Sequence, residues 1–252
     1  MGEKHVAIIL AGGSGKRMQT ATKKQYLELA GKPLIAHAIE TMEKSFMDEI
    51  ILVAAPGETS YCEKEIVHKH GFSKVVKIVE GGTERYDSVL NGLKAVKSNE
   101  KLQDNEKARD NKTAPACETY VYIHDGARPF VDLSLLERLR DSVVKTKACI
   151  AGVPVKDTIK KTDENGMVAD TPDRKMLWSV QTPQCFEYSI IMEAFHKMYA
   201  ADKESREKIT DDAMVVEYFT SHMVKMVMGD YSNIKITTPE DYELAENMMR
   251  KR

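Results

Sequence analysis

The residues whose types and spacing suit chemistry are concentrated in one stretch, residues 8–26, IILAGGSGKRMQTATKKQY. An apolar run at 6–10 leads into Gly12, Gly13 and Gly15, and then into the cations Lys16, Arg17, Lys23 and Lys24. Glycine lets main-chain N–H groups come close to a ligand because no Cβ stands in the way. The cations just beyond add full positive charge to those partial ones. A loop of this make-up at the end of a strand suits a polyphosphate; alone, it also suits a glycine turn with solvated lysines.

Spacing separates this loop from two better-known phosphate loops. A Walker A loop needs Gly, four residues, then Gly-Lys-Ser/Thr. Here Gly15-Lys16 is followed by Arg17, and the fifth position before Gly15 is Leu10, so the hydroxyl of a P-loop ATPase is missing. A dinucleotide fingerprint needs G-x-G-x-x-G, and the run starting at Gly13 ends on Met18.

Other polar groups are candidates of lesser weight. The string GGTERYDSVLNGL at 81–93 puts Arg85 and Ser88 near a helix start, where a plain turn and cap would look the same. In IHDGARPF at 123–130, Asp125 and Arg128 leave a strand end with Gly126 between them. They are either a structural ion pair closing a loop or a carboxylate and guanidinium offered to a ligand. His124 reads as a packed residue and not as a base. Asp157, Thr158 and Lys160 read as a solvated face. Lys235 is expected on a strand between Ile234 and Ile236, turned away from both and in need of an anionic partner.

The elements that must position these groups alternate in type. Short apolar, β-branched runs predict strands at 6–10, 49–54, 74–79, 119–124 and 148–153. Helical segments are predicted at 33–44, 61–70, 85–96 and 134–147, the first opening on Pro33. Such alternation implies an α/β fold: a Rossmann-like, mainly parallel sheet with helices on both faces. Ligands of such sheets bind at the carboxyl ends of strands, which is where the glycine–cation loop falls. After the fifth strand, 154–162 alternates with period two, Glu164-Asn165-Gly166 is a turn signal, and 167–171 can return as a projecting β-hairpin. Thr210 with Asp211 and Asp212 reads as a helix N-cap, and Thr238-Pro239-Glu240-Asp241 opens a final helix. Residues 97–112 are almost all charged or amide-bearing, and 97–118 is expected to form a mobile surface loop.

Composition narrows the classes. At 252 residues the chain can bury a large core, and one domain over 1–252 is expected. A net charge of −2 argues against binding nucleic acid by bulk electrostatics. The four cysteines are scattered without a C-x-x-C pair, so neither a zinc site nor a disulfide framework is expected. No apolar run is long enough to span a membrane and no signal-peptide profile opens the chain, so a cytoplasmic protein is expected.

Taken in order, the glycine–cation loop, GGTERYDSV, IHDGARP, PVKDTIK, LWSVQTPQ, TDD and NIKITTPED resemble the sugar-phosphate cytidylyltransferases over essentially the whole chain. Within that family the pattern is similar to the enzymes acting on 2-C-methyl-D-erythritol 4-phosphate in the non-mevalonate isoprenoid pathway. Ribitol-5-phosphate cytidylyltransferases share the nucleotide loop and QTPQ and are the alternative. The resemblance implies a CMP transfer from CTP to the sugar phosphate, with release of pyrophosphate. It places Ala11, Gly12, Gly13, Ser14, Gly15, Gly81, Gly82, Arg85, Ser88 and Gly126 at the nucleotide. Of the catalytic residues it implies, Arg17 and Lys24 line the triphosphate, Lys235 faces the reacting phosphates and Asp125 lies near the ribose, metal and substrate. It assigns Arg128, Thr158, Arg174, Thr182 and Thr210 to the acceptor. It further implies Mg²⁺ held mainly by the CTP phosphates near Asp125. It also implies a homodimer in which 154–176 is an arm carrying Thr158 and Arg174 into the partner's site.

The chemistry suits those residue types. A phosphate monoester is anionic at neutral pH and needs little help from a base; the difficulty is bringing it in line with a triphosphate. Cations and a divalent metal meet that need, and a Ser–His–Asp set does not. Three departures stand out. Lys23 replaces the proline common in the family, Gly126 replaces an alanine in a change expected to be tolerated, and the 97–118 connection is longer than usual.

Overall fold

The computed structural model describes residues 2–12, 23–96 and 117–251. Residues 97–116 of the loop expected at 97–118 and the core of the glycine–cation loop lie outside the described residues; the end of that expected loop is corrected, since Glu118 already opens a strand of the sheet. In β1 (Glu3–Leu10), Val6, Ala7, Ile8 and Ile9 are fully buried, as a strand covered on both faces requires. A small hairpin, β2 (Glu28–Leu29) and β3 (Lys32–Pro33), turns the chain into α1 (Leu34–Glu43). Strand β4 (Glu49–Ala54) follows. The next helix, α2 (Thr59–Tyr61), runs on as a π-helix over Cys62–His68 and leads to β5 (Val75–Glu80). Next come α3 (Arg85–Ala95), β6 (Glu118–Asp125), α4 (Leu133–Thr146) and β7 (Ala148–Pro154). The short strands β8 (Lys161–Thr162) and β9 (Val168–Asp170) form an arm, and β10 (Trp178–Glu187) returns to the body. The chain ends with α5 (Tyr188–Ala200), α6 (Lys203–Glu207), α7 (Asp212–Phe219), β11 (Lys225–Met228) and α8 (Pro239–Met249).

Seven strands form one sheet in the order β11-β7-β10-β6-β1-β4-β5. β1 pairs in parallel with β4 and β6, β4 with β5, and β7 with β11, while β10 is antiparallel to both its neighbours. The α/β, mainly parallel sheet read from the sequence is the observed one. One face is covered by α1 and α4 through Ile35, Ile39, Leu135 and Leu139, the other by α3, α5 and α7 through Val89, Leu93, Phe195 and Val215. A third cluster joins Leu29, Leu34, Phe130, Ile236 and Ala245, and it anchors the C-terminal segment beside the sheet.

Four other local expectations are corrected. Strand β10 covers residues that carried no strand signal, because Gln181, Thr182, Pro183 and Gln184 interrupt its apolar pattern; its register shifts between Val180 and Gln184. The residue that caps α7 is Asp211, whose Oδ1 accepts the Met214 N–H at 2.9 Å, and Thr210 stands one position outside. The hairpin ladder is confined to Lys161–Thr162 against Val168–Asp170, since 155–160 finds no strand to pair with. Lys235 lies on an extended, unladdered segment; its neighbour Ile236 donates to the Ala127 carbonyl at 2.9 Å and is fully buried. Lys235 still points away from Ile236, as alternation requires. The final helix does open at Thr238, with a capping box to Asp241 and Pro239 at the first position.

Candidate active site

At the carboxyl ends of β1, β4 and β6, main-chain bonds gather three loops around one cavity. Ala11 N donates to Val53 O at 2.8 Å, Gly81 N to Ala54 O at 2.7 Å, and Gly126 N to Leu10 O at 2.9 Å. The cavity is about 260 Å³, and Gly12, Gly82, Arg85, Ser88, Asp125 and Lys235 are among its lining residues. Thus segments about 150 residues apart in sequence, the turn before α3 at Gly82 and the segment before α8 at Lys235, line the same space, as strand-end geometry dictates.

Asp125, at the last position of β6, is the focus of its charge. Lys235 Nζ is 2.7 Å from Oδ2, Arg85 Nε 3.8 Å from Oδ1, and Arg128 Nε 3.9 Å from Oδ2. Burial alone would raise this carboxyl, but Arg85, Lys235 and Arg128 together hold it well below the usual carboxylate range. Asp125 is therefore an anion at neutral pH. Lys235 is partly open to solvent, with its side chain 38% exposed, so its ammonium can also face a ligand.

Arg85 begins α3, and both its terminal nitrogens are committed. Nη1 donates to Asp212 Oδ1 at 2.8 Å and Nη2 to Oδ2 at 2.7 Å, a bidentate contact with a carboxylate that is 1% exposed. Burial opposes the charge of Arg85, but Asp212 and Asp125 hold the guanidinium protonated. Asp212 is set by the start of α7, where Gln184 Oε1 accepts the Asp212 and Ala213 N–H groups at 3.0 and 2.9 Å. Gln184 Nε2 in turn donates to Asp211 Oδ2 at 2.9 Å.

Three residues along α3 from Arg85, Ser88 Oγ accepts the Gly82 N–H at 3.1 Å and donates to Glu84 O at 3.3 Å. A Cβ at Gly81 would come within 2.8 Å of Ser88 Oγ and 3.2 Å of Ala54 O, so the chain there is glycine by close approach. Gly126 is similarly hemmed in: an alanine would put Cβ 2.9 Å from Leu10 O and 3.1 Å from the Ile35 side chain. An alanine at 126 would therefore require Ile35 and the end of β1 to give, and the glycine expected to be tolerated here fits without that shift. Gln25, 2% exposed, donates from Nε2 to Ala11 O at 2.6 Å and fixes the turn beneath Gly12.

The structure thus brings Ala11, Gly12, Gly82, Arg85, Ser88, Asp125 and Lys235 to one cavity, with Gly81 and Gly126 shaping its walls. Gly13, Ser14, Gly15 and Arg17 lie outside the described residues, as does the Lys24 side chain. Arg128 lies beside Asp125 with its side chain 11% exposed, and its Nη1 donates to Asn233 O at 2.7 Å. Thr182 is 4% exposed, and its hydroxyl bonds to Asp125 N and His124 Nδ1 at 3.0 Å each. Thr210 is exposed at the entrance to α7. Thr158 and Arg174 lie on the exposed arm and do not line the cavity of their own chain. Asp212, Gln184, Gln25 and Asn233 were not singled out as site residues, and Asp212 was read only as part of a helix cap. The TDD, QTPQ and NIKITTPED strings and the 8–26 stretch contain them, but several of their partners lie far along the chain.

No cluster of three or more His, Cys, Asp or Glu that could hold a metal occurs among the described residues. Of the two carboxylates among the lining residues, Glu84 and Asp125, it is Asp125 that pairs with Lys235, and its oxygens are already shared among three cations. This donor set suits a divalent ion that arrives with phosphate oxygens better than one held by the protein alone.

Residues 5–251 match the family model described as 2-C-methyl-D-erythritol 4-phosphate cytidylyltransferase (IspD). The chain is 45% identical to the protein of that name from Lachnospira eligens, over 96% of this chain and 97% of the relative. It is 41% identical to that from Lachnoclostridium phytofermentans, over 99% and 97%. Among solved structures it is similar to the 4-diphosphocytidyl-2C-methyl-D-erythritol synthase of Anaerococcus prevotii, with a TM-score of 0.78 and 32% identity, covering 99% of this chain and all of that one.

Proposed function

Because the chain belongs to the 2-C-methyl-D-erythritol 4-phosphate cytidylyltransferase family, we propose that the Asp125–Lys235 cavity is where it transfers CMP. The reaction joins CTP and 2-C-methyl-D-erythritol 4-phosphate into 4-diphosphocytidyl-2-C-methyl-D-erythritol, releasing pyrophosphate. The family match favours this acceptor over ribitol 5-phosphate.

One observation carries the assignment of the site. A buried carboxylate and a partly open lysine, 2.7 Å apart, lie at the strand ends between glycine-rich turns. In this reading Ala11, Gly12, Gly81, Gly82 and Ser88 hold the nucleoside, where main-chain approach is closest. Gly13, Ser14, Gly15, Arg17 and Lys24 wrap the triphosphate. Lys235 stabilises the negative charge that grows at the α-phosphorus, and Asp125 orients Lys235 and the ribose. Arg128 meets the acceptor's phosphate from below. Arg85, with its terminal nitrogens occupied by Asp212, acts on the nucleotide by its charge and by fixing the start of α3. The acceptor oxygen needs no base, which agrees with a site whose one histidine neighbour, His124, is buried and neutral. Mg²⁺ carried by CTP would face Asp125 and supply charge neutralisation when bound. We place the reaction in the cytoplasm; no helix among the described residues is long and apolar enough to cross a membrane.

The arm completes the reading as a dimer contact. Met167, Val168 and Met176 are 68%, 60% and 79% exposed, so the apolar side chains of residues 154–176 find little cover in their own chain. A second copy that covers them would receive Thr158 and Arg174 beside its acceptor site.

The test is pyrophosphate release from CTP and Mg²⁺ with either acceptor, comparing the parent protein with Lys235→Met. The parent should favour methylerythritol 4-phosphate strongly, and the variant should lose about 100-fold or more in kcat, as when an electrostatic contact to the transition state is removed. Turnover within twofold of the parent would remove Lys235 and this cavity from the chemistry.

A further inference from the structure

Beside Asp125 lies a hydrogen-bonded chain through His124 and Thr182, the latter a residue that the resemblance assigns to the acceptor. His124 is fully buried, and its Nε2 lies 3.1 Å from the Arg128 carbonyl. A carbonyl only accepts, so Nε2 carries the proton and Nδ1 is left as an acceptor. Thr182 Oγ1 donates to that Nδ1 at 3.0 Å and accepts the Asp125 N–H at 3.0 Å. Burial lowers His124 to about 4, which keeps this pattern of donors intact at neutral pH. Asn233, also fully buried, joins from the third side. Its Nδ2 donates to Thr182 O at 2.9 Å, and its own carbonyl takes the Arg128 Nη1 at 2.7 Å.

Both ends of this chain are main-chain groups of the same turn, the N–H of Asp125 and the carbonyl of Arg128. That turn aims the carboxylate at Lys235 and the guanidinium at Asn233. The Thr182 proton is spent on His124, and 4% exposure leaves the hydroxyl little room for a ligand.

We propose that Thr182 and His124 are positioning residues: together they lock the Asp125–Arg128 turn into its working shape, and the Thr182 hydroxyl does not touch the acceptor. The proposal rests on the roles given above to Asp125 and Arg128. A turn displaced by about an ångström costs turnover far more than affinity.

The experiment measures kcat and KM for Thr182→Val, Thr182→Ser, His124→Leu, the double variant Thr182→Val/His124→Leu, and Asp125→Asn. Each is assayed with methylerythritol 4-phosphate and with erythritol 4-phosphate, below the melting temperature found by circular dichroism. Thr182→Val should lower kcat roughly ten- to a hundredfold, the range of a small misplacement. The preference between the two acceptors should not change. Thr182→Ser should return to within about twofold of the parent, since the hydroxyl is restored. The double variant should be no slower than the slower single one, because the two residues act through one chain of bonds. If Thr182→Val keeps its kcat and raises only the acceptor KM, or shifts acceptor preference, the hydroxyl is an acceptor ligand and the proposal is wrong. Multiplied defects in the double variant would also overturn it. Should His124→Leu fail to fold, the valine–serine pair at 182 decides. A slow Asp125→Asn beside a normal Thr182→Val refutes the positioning role alone, whereas a normal Asp125→Asn sinks the reading of the site as well.

Discussion

His124 shows how a residue can serve a site without entering its chemistry. Its imidazole lies next in sequence to Asp125, yet it is fully buried and held neutral. Burial makes the charged form costly, and the neighbouring carboxylate recovers only part of that cost. The consequence is a defined loss of stability in acid. Above pH 6.5 the ring is neutral whether the chain is folded or not, and it contributes no pH dependence. Between pH 6.5 and about 4 only the unfolded chain takes up the proton, so folding weakens as the pH falls. By pH 4 the loss should reach about 3 kcal/mol, and below that both states are charged and no more is lost. Urea denaturation at pH 7 and at pH 4 checks this against His124→Gln, which cannot titrate. The parent should lose about 3 kcal/mol more than the variant over that range; parallel losses would show that His124 already titrates normally in the fold. Comparing the two proteins cancels His5 and His37, whose values burial also lowers.

At the scale of elements, α7 depends on strand β10. Gln184, 1% exposed, satisfies two N–H groups at the start of that helix and binds the Asp211 cap, so one side chain joins the sheet to the base on which Arg85 rests. Gln184→Leu keeps the volume but orphans those groups, and should destabilise the protein by about 1–3 kcal/mol. Asp211→Ala, which removes a single cap, should cost about 1 kcal/mol. Chemical denaturation ranks the two, and the reverse order would mean that Asp211 and not Gln184 holds the helix. These contacts also explain what could be read from the chain alone. Strands β1, β4 and β6 are apolar runs that announce themselves, and the polar residues just past their ends were visible as candidates for the same reason. Strand β10 was not, because its polar centre reads as a loop until its partners are known. Gln184 finds Asp211 27 residues away, and Thr182 meets Asn233 51 residues away. Arg85 looked like a helix cap or a ligand for the same reason, since Asp212, which takes both its terminal nitrogens, is 127 residues downstream. Local pattern reveals which residues stand at strand ends; it does not reveal which of them are already satisfied by one another.

For the whole molecule, the question is whether one chain makes a complete site. The cavity gathers Gly12, Gly82, Arg85, Ser88, Asp125 and Lys235 from its own chain, while Thr158 and Arg174 stand out on the arm with exposed apolar neighbours. If arms are exchanged in a two-fold dimer, each site takes its lysine from one subunit and its arm from the other. Two damaged proteins can then repair each other. Lys235→Met and Arg174→Ala should each be nearly inactive alone, one lacking the ammonium at the reacting phosphate and the other the guanidinium brought by the arm. After mixing under conditions that exchange subunits, half of the dimers are mixed, and each has one site with both residues intact. Activity should therefore recover to about one quarter of the parent value. If Arg174 instead served its own chain, every site in the mixture would retain one defect, and the activity would stay at the level of the separate variants. Sedimentation of Met176→Asp provides the companion measurement. A charge on this exposed methionine should leave the fold intact but weaken the dimer, and activity should fall in step with the fraction of monomer.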